Sequence, residues 1–198
     1  MTIYLVRHGQ TNDNVKNKMQ GWRDTPLNDK GREQARHLIP FFQSTSIDII
    51  YASDLSRAYE TATIIGQSIN TRVFKDKHLR EMYLGDWEGY SWQEIEAKYA
   101  YFLNKPENEK NALNIHQGES YIEFQKRCER SFKKIVKRHI GHDLMIVTHG
   151  GYIREVVAQI ILINQYQKDA IPIRNCSVSV IEYDEHKDNF KVIDLCVL

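Results

Sequence analysis

The sequence predicts an α/β protein: a three-layer α/β/α arrangement with a mostly parallel central sheet and a small helical cap. Two observations lead there. Short apolar runs alternate with amphipathic segments along the whole chain. Two of the runs, Ile3 to Val6 and Leu144 to Val147, are almost wholly apolar, as expected of strands covered on both faces.

Taken in order, strands are expected at Ile3 to Val6, Ile47 to Tyr51, Leu144 to Val147, Ser177 to Tyr183 and Phe190 to Leu195, with a weaker one at Arg72 to Phe74. Asn28 is a good N-cap for a helix that buries Ala35, Leu38, Ile39 and Phe42. A second helix is expected from Ser53, burying Ala58, Ala62, Ile65 and Ile69. Capping boxes at Ser91 to Glu94 and Ser120 to Glu123 mark two helix starts in the middle of the chain. The second of these helices runs to about His139, with Gly141 free to take the left-handed conformation that ends it. A last long helix follows Gly150 and Gly151 and buries Ile153, Val156, Val157 and Ile160.

Composition narrows the function classes. The 198 residues are 41% hydrophobic and 27% charged, with 10 Gly and 4 Pro, which fits one folded domain and neither disorder nor a fibre. Lys and Arg number 27 against 26 Asp and Glu, so the formal charge of +1 provides no field for nucleic acid or an anionic membrane. No apolar run approaches the ~20 residues of a membrane span, and no basic segment precedes an apolar one at the N-terminus. A soluble, cytoplasmic protein is expected, with no nucleic-acid or membrane partner; its oligomeric state is not legible. Cys128, Cys176 and Cys196 are widely spaced and odd in number, against both a disulfide framework and a thiolate metal site. Cys128 shares a helical stripe with Tyr121, Phe124, Phe132 and Ile135 and reads as core.

Strand ends carry the polar signal. Arg7-His8-Gly9 follows the first strand, Thr148-His149-Gly150-Gly151 follows the Leu144 strand, and a third strand ends at Ser53 shortly before Arg57. Ligands of open α/β sheets bind at such ends. If these strands are neighbours, two histidines and two arginines converge, with glycines that admit close approach and a helix N-terminus that favours an anion. Planar guanidinium forks suit phosphate oxygens, so the set reads as a phosphate cradle containing histidines.

At these residues the sequence resembles the histidine phosphatase superfamily, the phosphoglycerate mutase-like family. The resemblance runs through Leu5 to Thr11 with Asn14, Gln20 to Leu27, Gly31 with Gln34 and Ala35, and Ser53 to Ala58 with Thr61 and Ala62. It continues through Leu79-Arg80-Glu81, Leu84 to Gly89, Gly118-Glu119-Ser120 and Val147 to Gly150, covering about residues 1 to 155. Gln10 stands where many relatives have Glu. The resemblance implies the phosphoglycerate mutase-like fold, with residues 1–198 as a single domain and about 83–118 as a cap or specificity insertion. It implies that His8 is the nucleophile that becomes phosphohistidine, that Arg7, Arg57 and His149 clamp the phosphoryl group, and that Glu81 gives a proton to the leaving oxygen. Asn14, Gln20, Gly21 and Gly150 match positions lining the phosphate or substrate pocket. No metal or cofactor is called for: no HExxH motif occurs, and His139 and His142 read as the end of a helix rather than a ligand pair.

The expected activity is hydrolysis of small-molecule phosphate monoesters. The alternatives are cofactor-dependent phosphoglycerate mutase-type phosphotransfer and a non-catalytic phospho-ligand sensor. Leu84 to Gly89 looks like the phosphatase branch. From Glu81 to Lys126 there is no Arg, and four Lys face nine acidic residues, so the outer pocket is expected to repel a second anionic group. Seven aromatic residues, Tyr83, Trp87, Tyr90, Trp92, Tyr99, Tyr101 and Phe102, form either an aromatic wall for apolar leaving groups or the core of the cap. The Leu103 to Gln117 stretch is expected to be an exposed loop near the mouth.

Overall fold

The computed structural model describes residues 1–106, 109 and 117–197. In chain order they form β1 (Thr2–Arg7), α1 (Asn12–Val15), α2 (Asp29–His37), α3 (Ile39–Gln43), β2 (Ile49–Ala52), α4 (Ser56–Ser68) and β3 (Val73–Lys75). Then come α5 (Trp92–Leu103), α6 (Tyr121–Arg138), β4 (Leu144–Thr148), α7 (Gly150–Ile160), α8 (Gln165–Lys168), β5 (Val178–Asp184) and β6 (Asn189–Val197). The six strands make one sheet in the order β3-β2-β4-β1-β5-β6. β3, β2, β4 and β1 run parallel, and β5 is antiparallel to both its neighbours.

Two-residue alternation along the strands divides the core between the two faces of the sheet. Ile3, Leu5, Leu144, Ile146 and Ile181 face α6 and α7 and pack on Phe124, Cys128, Phe132, Ile153 and Val157. Val6, Ile50, Ala52, Met145 and Val147 face the other way, onto Ala35, Leu38, Phe42, Ala58 and Ile65 of the α2 to α4 layer. All five residues of β4 are therefore buried, which is why that run lacks polar alternation. The three-layer expectation holds, and Cys128 is fully buried in the core.

Two helix expectations need correction. The helix after Asn28 is broken at Leu38 into α2 and α3, because Pro40 at the start of α3 has no amide proton to continue the earlier ladder. The helix expected from Ser53 begins at Ser56, with Leu55 as its N-cap; the Ser53 hydroxyl is engaged elsewhere, with His149. Both capping boxes form as expected. Gly141 takes φ of 85° just beyond α6.

A third, separate apolar cluster joins Trp87, Ile95, Tyr99 and Phe102, with Met19 and Leu84 against it. Trp87 and Phe102 pack edge to face with centroids 5.6 Å apart. Most of the 103–117 stretch lies outside the described residues. Among the described residues no helix is long and apolar enough to cross a membrane.

Candidate active site

Parallel pairing brings the signal-bearing strand ends together. Arg7 of β1 is in register with Thr148 of β4, and Ala52 of β2 with Val147. His8, His149 and Ser53 each follow one residue later, so all three emerge at the same edge. The two imidazoles lie with ring centroids 5.1 Å apart and planes tilted by 60°.

Each side chain is held by a partner that leaves specific atoms over. His8 Nδ1 is 2.7 Å from Gly9 O. A carbonyl only accepts, so the ring proton is on Nδ1 and Nε2 keeps its lone pair. Burial, reinforced by Arg57 and Arg7, holds His8 well below the usual imidazole pKa, so the ring is neutral. His149 Nε2 is 2.9 Å from Ser53 Oγ. Ser53 Oγ accepts the Leu55 N–H at 3.4 Å; when it gives its own proton to Nε2, the proton of His149 is on Nδ1, the tautomer that turns Nδ1 into a donor. Burial, with Arg57, His8 and Arg7, also depresses this ring's pKa strongly.

Arg57, on the first turn of α4, donates from its two terminal nitrogens to Arg23 O and Gly21 O, each at 2.8 Å. Gly21 supplies that carbonyl from a φ of 52°, in a turn whose next amide, Trp22 N–H, donates to Glu88. Burial lowers the Arg57 guanidinium to about 10, and it is still a full cation at neutral pH. Arg7 donates from Nη1 to Ile173 O at 2.7 Å. Three buried nitrogens, Arg7 Nε, Arg57 Nε and His149 Nδ1, have no protein partner. Buried donors are nearly always satisfied; three orphans around one nucleophilic nitrogen form a ready-made oxyanion cradle.

Glu81 faces this cradle. Its Oε2 accepts the Gly151 N–H of α7 at 2.9 Å and its Oε1 accepts the Met82 N–H at 3.0 Å. Its carbonyl accepts from Trp22 Nε1 at 2.8 Å and from Arg127 Nη2 at 2.9 Å. Arg127 also binds the carbonyls of His78 and Arg80 and both carboxylate oxygens of Glu119. The Glu81 segment is thus clipped to α6 by one half-buried guanidinium.

A cavity of about 310 Å³ opens over these groups. Arg7, His8, Arg57, Glu81 and His149 line it, as do Asn14, Gln20 and Gly21, so the structure gathers the expected residues with one exception. The exception is Gly150, which is buried beneath Arg7 and Arg154; Gly151 lines the cavity in its place. A wider groove of about 880 Å³ between α6, α7 and β6 has neither a histidine nor an arginine among the described residues of its lining.

The outer wall departs from expectation. None of the seven aromatics between 83 and 102 lines the cavity; Trp87, Tyr99 and Phe102 are cap core instead. Of the described charged residues in the acidic stretch, only Glu81 reaches the lining, which gains Lys18, Arg154 and Lys168 from elsewhere in the chain. Among the described residues the outer pocket is not acidic, against the expectation: charge counted along a segment is not charge around a cavity. Arg154 could have been found from the sequence, since it lies one turn after Gly150 on the same helix face. No local signal marks Lys168.

The family model of the histidine phosphatase superfamily (branch 1) matches residues 3–195. The chain belongs to that superfamily. It is 36% identical over 197 residues to a Hydrogenobacter thermophilus protein named "Putative phosphoserine phosphatase 2", covering 98% of this chain and 96% of that one. It is 38% identical over 162 residues to "Phosphoglycerate mutase-like protein 4" of Arabidopsis thaliana, covering 78% and 68%. Among solved structures, a mycobacterial glucosyl-3-phosphoglycerate phosphatase superposes with a TM-score of 0.83 at 27% identity, over 100% of this chain and 99% of that one.

Proposed function

We propose that this histidine phosphatase superfamily member hydrolyses small phosphate monoesters through a phosphohistidine formed on His8. The observation that carries the reading is the set of three unpartnered buried nitrogens, Arg7 Nε, Arg57 Nε and His149 Nδ1, beside a neutral imidazole whose free lone pair is on Nε2. Phosphoryl transfer needs an in-line nucleophile and positive charge around three equatorial oxygens. The names of the relatives above, phosphatases among them, support hydrolysis.

In the first step His8 Nε2 attacks phosphorus and the bond to the leaving oxygen breaks, while the Glu81 carboxyl gives that oxygen its proton. The hydrogen bond from His8 Nδ1 to Gly9 O stabilises the positive charge that develops on the ring. In the second step the Glu81 carboxylate takes a proton from water, the hydroxide attacks phosphorus, and the P–N bond breaks. Phosphate leaves and His8 returns neutral with Glu81 protonated. Splitting one displacement into two is the gain from covalent catalysis. The two amides that hold Glu81 leave each of its oxygens a second lone pair for this traffic.

Purified protein given nitrophenyl phosphate tests the reaction class. Steady release of nitrophenol and phosphate is expected. Tight phosphate binding without turnover would instead establish a sensor that has kept the cradle.

A further inference from the structure

We infer that Arg127 is a positioning residue for the proton donor: through three backbone carbonyls it sets where the Glu81 carboxyl stands. The inference rests on the hydrolase reading above and deepens it, naming what holds Glu81 in place. The segment that carries Glu81 has little structure of its own. After the single turn at Lys77–Leu79, residues 80 to 84 belong to no helix or strand, so no ladder fixes their backbone. The four consecutive carbonyls from His78 to Glu81 are taken by side chains instead. Leu79 O accepts from Thr148 Oγ1 at 2.6 Å, and the other three all accept from Arg127.

A guanidinium has five N–H groups, and in Arg127 each has its own acceptor. Nε and Nη2 give one bond each to Glu119 Oε1 and Oε2, at 2.8 and 2.7 Å. The second proton of Nη2 goes to Glu81 O at 2.9 Å, and the two of Nη1 go to His78 O at 2.9 Å and Arg80 O at 2.7 Å. No N–H is left for a substrate, and Arg127 is not in the cavity lining. Arg7 and Arg57, by contrast, line the cavity and each keep Nε unpartnered. The same side-chain type therefore serves two purposes: an incomplete fork receives a ligand, and a complete one holds the chain.

Glu119 fixes the plane of this fork and ties it to the chain beyond Glu81. Its amide donates to Tyr83 O at 2.8 Å, and its Oε2 accepts the Tyr83 N–H at 3.2 Å. Residues 78, 80, 81 and 83 are all bonded to one ion pair, whose side chains are 14% and 13% exposed. The Glu81 carboxyl itself accepts from two amides, Met82 N–H and Gly151 N–H. Met82 belongs to the same segment, so its amide moves wherever that segment moves. A displacement of about 1 Å at a reacting group can cost ~100-fold in rate.

The test compares glycerol 1-phosphate, whose leaving oxygen needs a proton, with nitrophenyl phosphate, whose leaving oxygen does not. Arg127→Lys keeps a charge facing Glu119 but brings three N–H groups to five acceptors. It should lose about 10- to 100-fold in kcat on glycerol phosphate, with KM within about 3-fold. Its single-turnover release of nitrophenol should change by less than about 3-fold. In a Glu81→Gln background the same substitution should cost less than about 3-fold on the alkyl ester, because the group it positions is gone. If thermal melts show Arg127→Lys to be unfolded, Glu119→Gln, which keeps the volume and loosens the fork, should show the same split between esters at about 3- to 10-fold. Equal losses on the two esters, an unchanged alkyl rate, or losses that add in the double variant would overturn the inference and leave the hydrolase reading intact. A wild type inactive on both esters would refute that reading and this inference with it.

Discussion

His8 and His149 are sealed from solvent among Arg7 and Arg57, and this has a cost that pH exposes. In the unfolded chain both titrate near ~6.5. In the folded protein both pKa values are pushed well below that, so beneath about pH 6.5 the unfolded state binds more protons and stability falls as pH falls. The limit is ~1.4 kcal/mol per pH unit for each ring. Urea midpoints between pH 7.5 and 5.5 should decline for wild type and decline much less for a His8→Gln, His149→Gln protein. An unchanged slope in that variant would mean that the two rings are not the source. Glu81 is tested through the leaving group. Glu81→Gln keeps the shape and removes the proton, so alkyl phosphates should lose about 10²- to 10⁴-fold. The first step on a nitrophenyl ester, whose leaving group needs no proton, should persist, and phosphohistidine should accumulate behind a burst of nitrophenol. Equal losses for both esters would reduce Glu81 to a positioning role.

At the scale of elements, the start of α7 does two jobs: it closes over the cradle, and Gly151 N–H holds the Glu81 carboxylate. A Cβ on Gly151 would collide with that carboxylate. Gly151→Ala should therefore displace Glu81 and lower kcat by about 100-fold. Its Tm should stay level or rise, since Ala is the better helix former by up to ~1 kcal/mol. Gly141→Ala is the contrasting control: no atom lies near its Cβ, but a φ of 85° penalises any side chain. It should lose about 1 to 2 kcal/mol of stability and no activity. An activity loss in Gly141→Ala equal to that in Gly151→Ala would break the argument. Helix boundaries show where local signals mislead. Ser91 and Ser120 turn their hydroxyls to the amides of their own helices, whereas Ser53, with the same side chain, is turned to His149 and leaves α4 to begin at Ser56.

For the molecule as a whole, the sheet and its inner site were legible because both are local. Strands buried on two faces show continuous apolar runs, and His8, His149 and Arg57 directly follow a strand or open the next helix, whereas Glu81 does neither and was reached only through the family resemblance. The outer pocket was not legible because it is assembled from distant segments. Lys18 comes from the loop after α1, Arg154 from α7 and Lys168 from α8, while the described acidic residues of the 81–126 stretch other than Glu81 are not in the lining. The aromatic cluster fits helical core spacing as well as a cavity wall, and only packing of Trp87 against Tyr99 and Phe102 decides between them. What unifies the molecule is the convergence of β1, β2 and β4 on one nitrogen. The most direct test of that claim is acid-free quenching of the enzyme during turnover, followed by mapping of the phosphate label. The account predicts one phosphoryl group on His8, stable to base and labile to acid, and none in His8→Ala; a label that persists in His8→Ala, or turnover at the wild-type rate without His8, contradicts it.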